Sequence, residues 1–296
     1  MRVLVTGATG FIGRHLAARL AAEHEVIALA RRPPRSPIAG VRYVSQDLAA
    51  PLDEARLPGR IDGVIHQAAL IEAEAAPDDA LPFLVNVVAT WRLLNYARRA
   101  GAHLFLHAST GGVYGCGNRP FVEEDPLNPM DLYSLTKSQA ELAVQHTPTD
   151  FPKIILRYFF PYGPGTPNPI PHYVRRALRG EPIRLRAGHG PRLNPIHITD
   201  AVEATMRCLA PGQDMVLNIA GTEVTTFAAI AELAAAQVGR RPVFETIPDS
   251  EVLPYYRADL VADISRMQRT LGFTPQVALA AGIAELADAE LADRAG

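Results

Sequence analysis

The run Val3-Leu4-Val5-Thr6-Gly7-Ala8-Thr9-Gly10-Phe11-Ile12-Gly13 constrains this chain more than any other. Apolar residues suited to a strand lead straight into three glycines, and an apolar helical pattern follows from Phe11. At such a junction one glycine lets the chain turn. A second lets backbone amides approach a pyrophosphate, and a third lets helix and strand pack closely. The helix N-terminus then presents free amides and a partial positive charge. The spacing is GxxGxxG, not the GxGxxG of the general fingerprint, and a glycine triplet alone could serve a flexible turn. Its position between strand and helix points to a bound dinucleotide.

Short apolar runs alternate with helical patterns through the first half. Strands are expected at Arg2–Val5, Glu25–Ala30, Val41–Val44, Asp62–His66, His103–Ala108 and Lys153–Arg157, and helices at Phe11–Glu23, Leu81–Arg99 and Tyr133–His146. Alternation of this kind implies crossover units and a parallel sheet covered on both faces, a Rossmann-type doubly wound α/β fold. Pro161–Pro171 holds five prolines and two glycines, so no regular element is expected there. A helix over Tyr173–Arg179 follows. Asn194–Thr199 and Val216–Ile219 read as returns to the sheet, and Thr225–Val238 and Val277–Ala292 as helices. The expected division is a dinucleotide-binding domain of residues 1–160 with 194–220, and a smaller, discontinuous substrate-binding lobe of residues 161–193 and 221–296.

Bulk composition narrows the function. Hydrophobic residues are 48% and charged residues 20%, an ordinary globular mixture. A formal net charge of -2 offers no field for nucleic acid, which is excluded as a partner. Two cysteines, Cys116 and Cys208, exclude a disulfide framework and fit a reducing cytoplasm. With a strand opening at Arg2 no signal peptide is expected, and no apolar run approaches the roughly 18 residues of a membrane span.

The end of the second strand should discriminate between cofactors. An acid there binds the ribose hydroxyl of NAD, whereas a nearby arginine accommodates the extra phosphate of NADP. The strand ends Ala28-Leu29-Ala30-Arg31-Arg32, with two arginines and no acid. NADP(H) is therefore favoured, with NAD(H) the alternative. Asp47 follows the third strand and can cap the adenine amino group or form an Asx turn before Leu48. Tyr133 and Lys137 lie four residues apart and so share a helix face. A free phenol, with a pKa near ~10, is a poor base at neutral pH, and a neighbouring ammonium favours the phenolate. Lys137 is accordingly expected to lower the Tyr133 pKa. Thr110 ends the fifth strand and can hydrogen-bond a reacting oxygen or simply a turn. His66 and His107 lie at strand ends without a ligand cluster and read as structural, with no metal site. Cys116 has no base partner in the sequence around it.

Taken together, these motifs resemble the extended short-chain dehydrogenase/reductases of the NAD-dependent epimerase/dehydratase type over nearly the whole chain. TGATGFIG at Thr6–Gly13 matches that family's cofactor loop, and Asp47-Leu48 its adenine-binding pair. His66-Gln67-Ala68-Ala69 resembles its HxAA segment, and Asn86–Leu94 its asparagine-containing helix. Ser109-Thr110-x-x-Val113-Tyr114-Gly115 and Tyr133-x-x-x-Lys137 match its catalytic motifs. Arg157–Gly165 is similar to its RxxNxYGPG segment, and Asn194–Asp200 to the return of its chain to the sheet.

The resemblance implies that Tyr133 is the acid/base, that Lys137 binds the nicotinamide ribose, and that Thr110 fills the catalytic hydroxyl position. Gly7, Gly10, Phe11, Ile12, Gly13, Arg31, Arg32, Asp47, Leu48, Ala68, Ala69 and Phe160 would then line the cofactor. Thr110, Gly111, Tyr133 and Phe160 would face the substrate. Arg192 and Arg257 are either an anion clamp or surface arginines. The implied reaction is epimerisation or ketoreduction at the 4-position of a sugar or nucleotide sugar. Phe160 stands where many members carry an asparagine, which opens the alternative of an NADPH-dependent reductase of a non-nucleotide carbonyl. Gly111 and Gly112 replace the acids of the dehydratases and argue against a 4,6-dehydratase. A catalytically idle NADP sensor is the non-enzyme alternative, and intact Thr110, Tyr133 and Lys137 count against it. A homodimer is expected through Leu81–Arg99 and Tyr133–His146, with Val85, Val88, Leu93, Tyr96, Leu135, Leu142, Ala143 and Val144 as surplus apolar residues.

Overall fold

The structure, a computed structural model, describes residues 1–71, 80–210, 212–252 and 256–292. Along the first half run β1 (Arg2–Thr6), α1 (Phe11–Ala21), β2 (Glu25–Ala30), β3 (Val41–Ser45), β4 (Gly63–His66), α2 (Leu81–Phe83) and α3 (Ala89–Arg99), then β5 (Phe105–Thr110), α4 (Leu132–His146) and β6 (Lys153–Tyr158). The second half adds α5 (Ile170–Arg179), β7 (Ile183–Arg186), β8 (Arg192–Leu193), α6 (Ile198–Arg207), β9 (Met215–Ile219) and β10 (Thr225–Thr226). It ends with α7 (Phe227–Ala236), β11 (Phe244–Ile247), α8 (Ser265–Leu271) and α9 (Leu279–Ala292).

The chain forms two compact units. The first comprises Met1–Val113, Leu127–Arg157 and Val202–Leu217, the second Tyr114–Pro126, Tyr158–Ala201 and Asn218–Gly296. Residues 114–126, read from sequence with the dinucleotide domain, fall in the second unit. The strand order of the main sheet is β3-β2-β1-β4-β5-β6-β9, and the pairs from β3 to β5 are parallel. Its strands are near-continuous apolar runs because both faces are covered. Every residue of β4 is buried, as is every residue of β1 after Arg2. The order reverses between β1 and β4, which opens a crevice at the carboxyl ends of the strands. One core packs Leu4, Ile27, Val64 and Phe105 against Leu93, Leu94 and Ala97 of α3.

The helix expected over Leu81–Arg99 forms, but a π turn at Leu84–Val88 interrupts it between α2 and α3. In the second unit, α5, α7 and α9 enclose a core of Ile170, Val174, Phe227, Ile230 and Ile283. The irregular proline stretch ends at Pro169, two residues short of the sequence reading. Pro171 sits in the first turn of α5, where its missing N–H removes no helical bond. Asn194–Thr199 is not a sheet strand. Pro195 cannot donate to a ladder, and α6 starts at Ile198, leaving a single bridge between Tyr162 and His197. The Asn194 side chain replaces the ladder, donating to Gly221 O (3.1 Å) and Ala262 O (3.0 Å) and accepting from Ala262 N (2.9 Å). Among the described residues no helix is long and apolar enough to cross a membrane.

Candidate active site

The glycine junction is built as its spacing requires. Gly7 has φ +70, and a Cβ there would lie 2.5 Å from Ala68 N. A Cβ on Gly13 would stand 2.0 Å from Gly7 O, so only glycine lets α1 approach β1 this closely. Gly10 N donates to Gly7 O at 2.9 Å, closing the turn into α1. Gly7, Gly10, Ala68 and Ala69 line a cleft of about 380 Å³ that extends past Ala30 and Arg31 to Asp47 and Leu48. A small-residue wall at a helix N-terminus, leading to a cation, fits an extended phosphate-bearing dinucleotide.

Of the two arginines at the end of β2, Arg31 lines the cleft; Arg32 is exposed on the next residue. Asp47 makes the Asx turn, its Oδ1 accepting from Ala49 N at 3.0 Å, and lines the cleft as well. Phe11 and Ile12 are half-buried on the first turn of α1, outside the lining of this cleft. Sequence reasoning missed Gln46 and Gln67 in the lining. Gln46 carries a signal only in three dimensions: its amide donates to Asp47 O and Pro51 O and accepts from Asp53 N, which folds the loop after β3.

Thr110 ends β5, and its Oγ1 accepts from Gly112 N at 3.1 Å, leaving the hydroxyl proton available. Gly111 starts the short turn that follows. A Cβ on Gly112 would lie 2.6 Å from Ser134 Oγ and 3.5 Å from Thr110 Oγ1, so the glycine lets the end of β5 meet the start of α4. Asp131 caps α4, its carboxylate accepting from Ser134 N at 2.6 Å. Tyr133 is thereby fixed on the first helical turn, with Lys137 one turn further on.

The electrostatics differ from the sequence expectation. Burial, with the Asp131 carboxylate adding to it, pushes the Tyr133 phenol up to about 12. The Lys137 charge is not among the causes of that shift. Burial lowers the Lys137 ammonium to about 7 against the pull of Glu141, and its Nζ lies 3.2 Å from His107 Nε2. Behind this pair, Glu141 is almost fully buried with Arg157, whose Nη2 donates at 2.7 Å, and with the hydroxyl of Ser109.

His66 is a strut whose protons can be assigned. Thr90 Oγ1 donates to Asn86 O (2.6 Å), so it accepts from His66 Nε2 (2.8 Å). His66 Nδ1 must then accept from Thr6 Oγ1 (2.6 Å), which in turn accepts from Ala68 N (3.1 Å). Burial, and then the Lys137 charge, lowers the His66 pKa to about 3. The Asn86 side chain, presented by the π turn, accepts from Leu70 N (2.7 Å) and donates to Leu70 O and Thr136 Oγ1 (both 2.9 Å). One hydrogen-bonded chain thus joins the cleft floor to α4.

Three expected site residues belong to the second unit. Phe160 has φ +44, rare for a bulky side chain, and its ring meets Phe227 edge-on, with Tyr173 and Tyr256 also against Phe227. Arg192 is paired with Asp259, so its charge is already answered by a carboxylate. Arg257 is exposed and donates to Val252 O at 3.1 Å.

Residues 3–220 match the NAD dependent epimerase/dehydratase family. A UDP-glucose 4-epimerase of Mycolicibacterium smegmatis is 31% identical to this chain over 96% of it and 97% of its own length. The solved complex of MoeE5 with UDP-glucuronic acid and NAD superposes with a TM-score of 0.85 at 29% identity, covering 99% of this chain and 100% of that one. A UDP-glucuronic acid 4-epimerase from Bacillus cereus, in complex with UDP-glucuronic acid and NAD, has the same fold, with a TM-score of 0.85, 24% identity and 99% of each chain covered.

Proposed function

Because the chain belongs to the NAD-dependent epimerase/dehydratase family, we propose that it inverts the hydroxyl at the 4-position of a nucleotide-linked sugar, with Tyr133 as its acid and base. One observation carries this reading. Thr110, Tyr133 and Lys137 share a unit with the glycine-walled cleft, at the carboxyl ends of the strands. A nicotinamide dinucleotide bound there supplies the hydride acceptor and donor. Gly7, Gly10, Ala68, Ala69, Asp47 and Arg31 hold it. The Thr110 hydroxyl donates to the reacting oxygen, and Tyr133 takes its proton as the alcohol becomes a ketone and returns it from the same oxygen. Burial favours the protonated phenol, ready to donate; accepting the alcohol's proton requires the phenolate, and we assign the Lys137 ammonium, one helical turn further on, to favour it.

The cofactor preference we assign is NADP(H), from Arg31 in the cleft and the absence of an acid at Ala30. This preference also favours a second reading, a 4-ketoreductase that exchanges NADPH in each cycle. Phe160 keeps a non-nucleotide carbonyl substrate as a further alternative. We place the protein in the cytoplasm, since neither cysteine is in a disulfide, and assemble it as a homodimer.

The test incubates the protein with UDP-glucose or UDP-glucuronic acid and a trace of NAD or NADP, and follows the sugar by proton NMR. Epimer formed with sub-stoichiometric cofactor supports the epimerase. Stoichiometric NADPH oxidation by a 4-keto nucleotide sugar, without epimerisation, replaces it with the ketoreductase. Cofactor binding with neither reaction favours the non-nucleotide reductase or the idle sensor. Tighter binding of NAD than of NADP removes the role given to Arg31.

A further inference from the structure

Lys137 and His107 are two buried basic groups that meet one helical turn beyond Tyr133 on α4. Lys137 is 1% exposed and His107 is 0%. Their nitrogens are 3.2 Å apart, although 30 positions separate them in sequence, because α4 packs on β5. An ammonium has only protons to give, so a charged Lys137 must donate to His107 Nε2. The imidazole is then neutral with its proton on Nδ1, an atom that has no hydrogen-bond partner among the described residues. His66 cannot relieve it: its ring stands 5.4 Å from that of His107, and both of its own nitrogens are engaged by threonines.

We propose that His107 is a positioning residue for the proton-transfer chemistry. It is a neutral acceptor that fixes the Lys137 ammonium from behind and keeps it charged. The proposal rests on the reading of Tyr133 and Lys137 given above. The charged and titratable groups around the pair are Glu141 on α4, held by Arg157 and Ser109, His66 on β4, and Tyr133 with Asp131 at the start of α4. Burial and then the Lys137 charge keep the His107 pKa well below its ordinary value, so the proton of the pair stays on lysine. Removing the acceptor strips the ammonium of its one hydrogen-bonding side-chain partner among the described residues and disfavours the charged form. The catalytic phenol then loses its supporting charge at a lower pH.

The chain makes this measurable, because it contains only two lysines, Lys137 and Lys153. Lysine labelled with carbon-13 at Cε gives two signals, assigned by Lys153→Arg, and each is titrated in cofactor-free protein. Native protein is compared with His107→Phe, which lacks an acceptor, and His107→Gln, which restores one. The expected result is a fall of at least one pH unit in the Lys137 midpoint in His107→Phe, and a return to within a few tenths in His107→Gln. The alkaline limb of UDP-glucose turnover should move in the same direction. An unchanged Lys137 midpoint in folded His107→Phe overturns the proposal. Should that variant fail to fold, nitrogen-15 shifts of the His107 ring in native protein decide the matter. Protonated Nδ1 and bare Nε2 support the assignment, and the reverse tautomer overturns it. Neither measurement needs a substrate, so failure here is separable from failure of the epimerase reading.

Discussion

At the scale of single residues, the role proposed for Tyr133 rests on its phenol oxygen, with the ring supplying only shape. Tyr133→Phe is expected to lower turnover of the nucleotide sugar by about 100-fold or more, the usual contribution of a positioned acid–base group. Its dissociation constants for NAD and NADP should stay within about threefold of native. Turnover above about a tenth of native would remove the assignment. His66 makes a second prediction, about pH. Its pKa is about 3 in the folded chain and near 6.5 when unfolded, so between those values the unfolded state binds the extra proton. Stability therefore rises with pH across that window and is lost as pH falls, by up to about 1.4 kcal/mol per pH unit from this one group. His107, also depressed, acts with the same sign. Urea unfolding at intervals from pH 7 to 4 should show the loss beginning just below pH 6.5. His66→Asn should flatten that slope at some cost in stability at pH 7; an unchanged slope would count against the buried-neutral assignment.

At the scale of elements, the π turn at Leu84–Val88 does more than its length suggests. It turns Asn86 inward, where one amide satisfies both backbone groups of Leu70 and the hydroxyl of Thr136. Asn86→Ala would leave the N–H and C=O of Leu70 unpaired, while the Thr136 hydroxyl keeps its bond to Tyr133 O (2.9 Å), at about 1–3 kcal/mol for each group left without a partner. We expect a loss of at least about 2 kcal/mol in chemical denaturation, together with weaker cofactor binding, because Leu70 lines the cleft. Destabilisation below about 0.5 kcal/mol would show that the link is dispensable. Nothing in the sequence around Asn86 announces a π turn, since the apolar periodicity of Leu81–Arg99 reads as one helix. The strands were legible for the opposite reason: sheet residues covered on both faces must be apolar in unbroken runs, as Val3–Val5 and Val64–Ile65 are. Asn194–Thr199 misled because Ile196 and Ile198 alternate like a strand, while Pro195 forbids the ladder and the bonds of Asn194 run to residues 27 and 68 positions away. The Lys137–His107 contact is of the same kind. Tyr133 and Lys137 were readable from local helix spacing, but the histidine that meets Lys137 is brought there only by packing.

At the scale of the whole molecule, the proposed homodimer rests on apolar side chains that the first unit leaves in solvent. Leu93, Tyr96 and Val144, counted from sequence as surplus, are in the core of the single chain. On α2, α3 and α4, the large apolar residues left exposed among the described residues are Phe83 (36%), Trp91 (53%), Leu135 (37%) and Leu142 (49%). Trp91 was not singled out from sequence, because a tryptophan on an amphipathic helix reads as core until its face is known. The helices α3 and α4 pack on one another, and their outer sides carry a tryptophan and two leucines in water. A second copy related by a twofold axis would cover these residues with their own equivalents, forming a contact of two helices from each chain. Tryptophan is a frequent anchor of such contacts, so truncating or charging it should cost more than changing the leucines. Light scattering at micromolar concentration should give about 64 kDa, twice the 32.0 kDa of one chain. Trp91→Glu should bring this to about 32 kDa without altering the circular dichroism spectrum, and Leu142→Glu should weaken the dimer less. A native mass of about 32 kDa under those conditions would remove the dimer. A native dimer unaffected by Trp91→Glu would move its interface to another face.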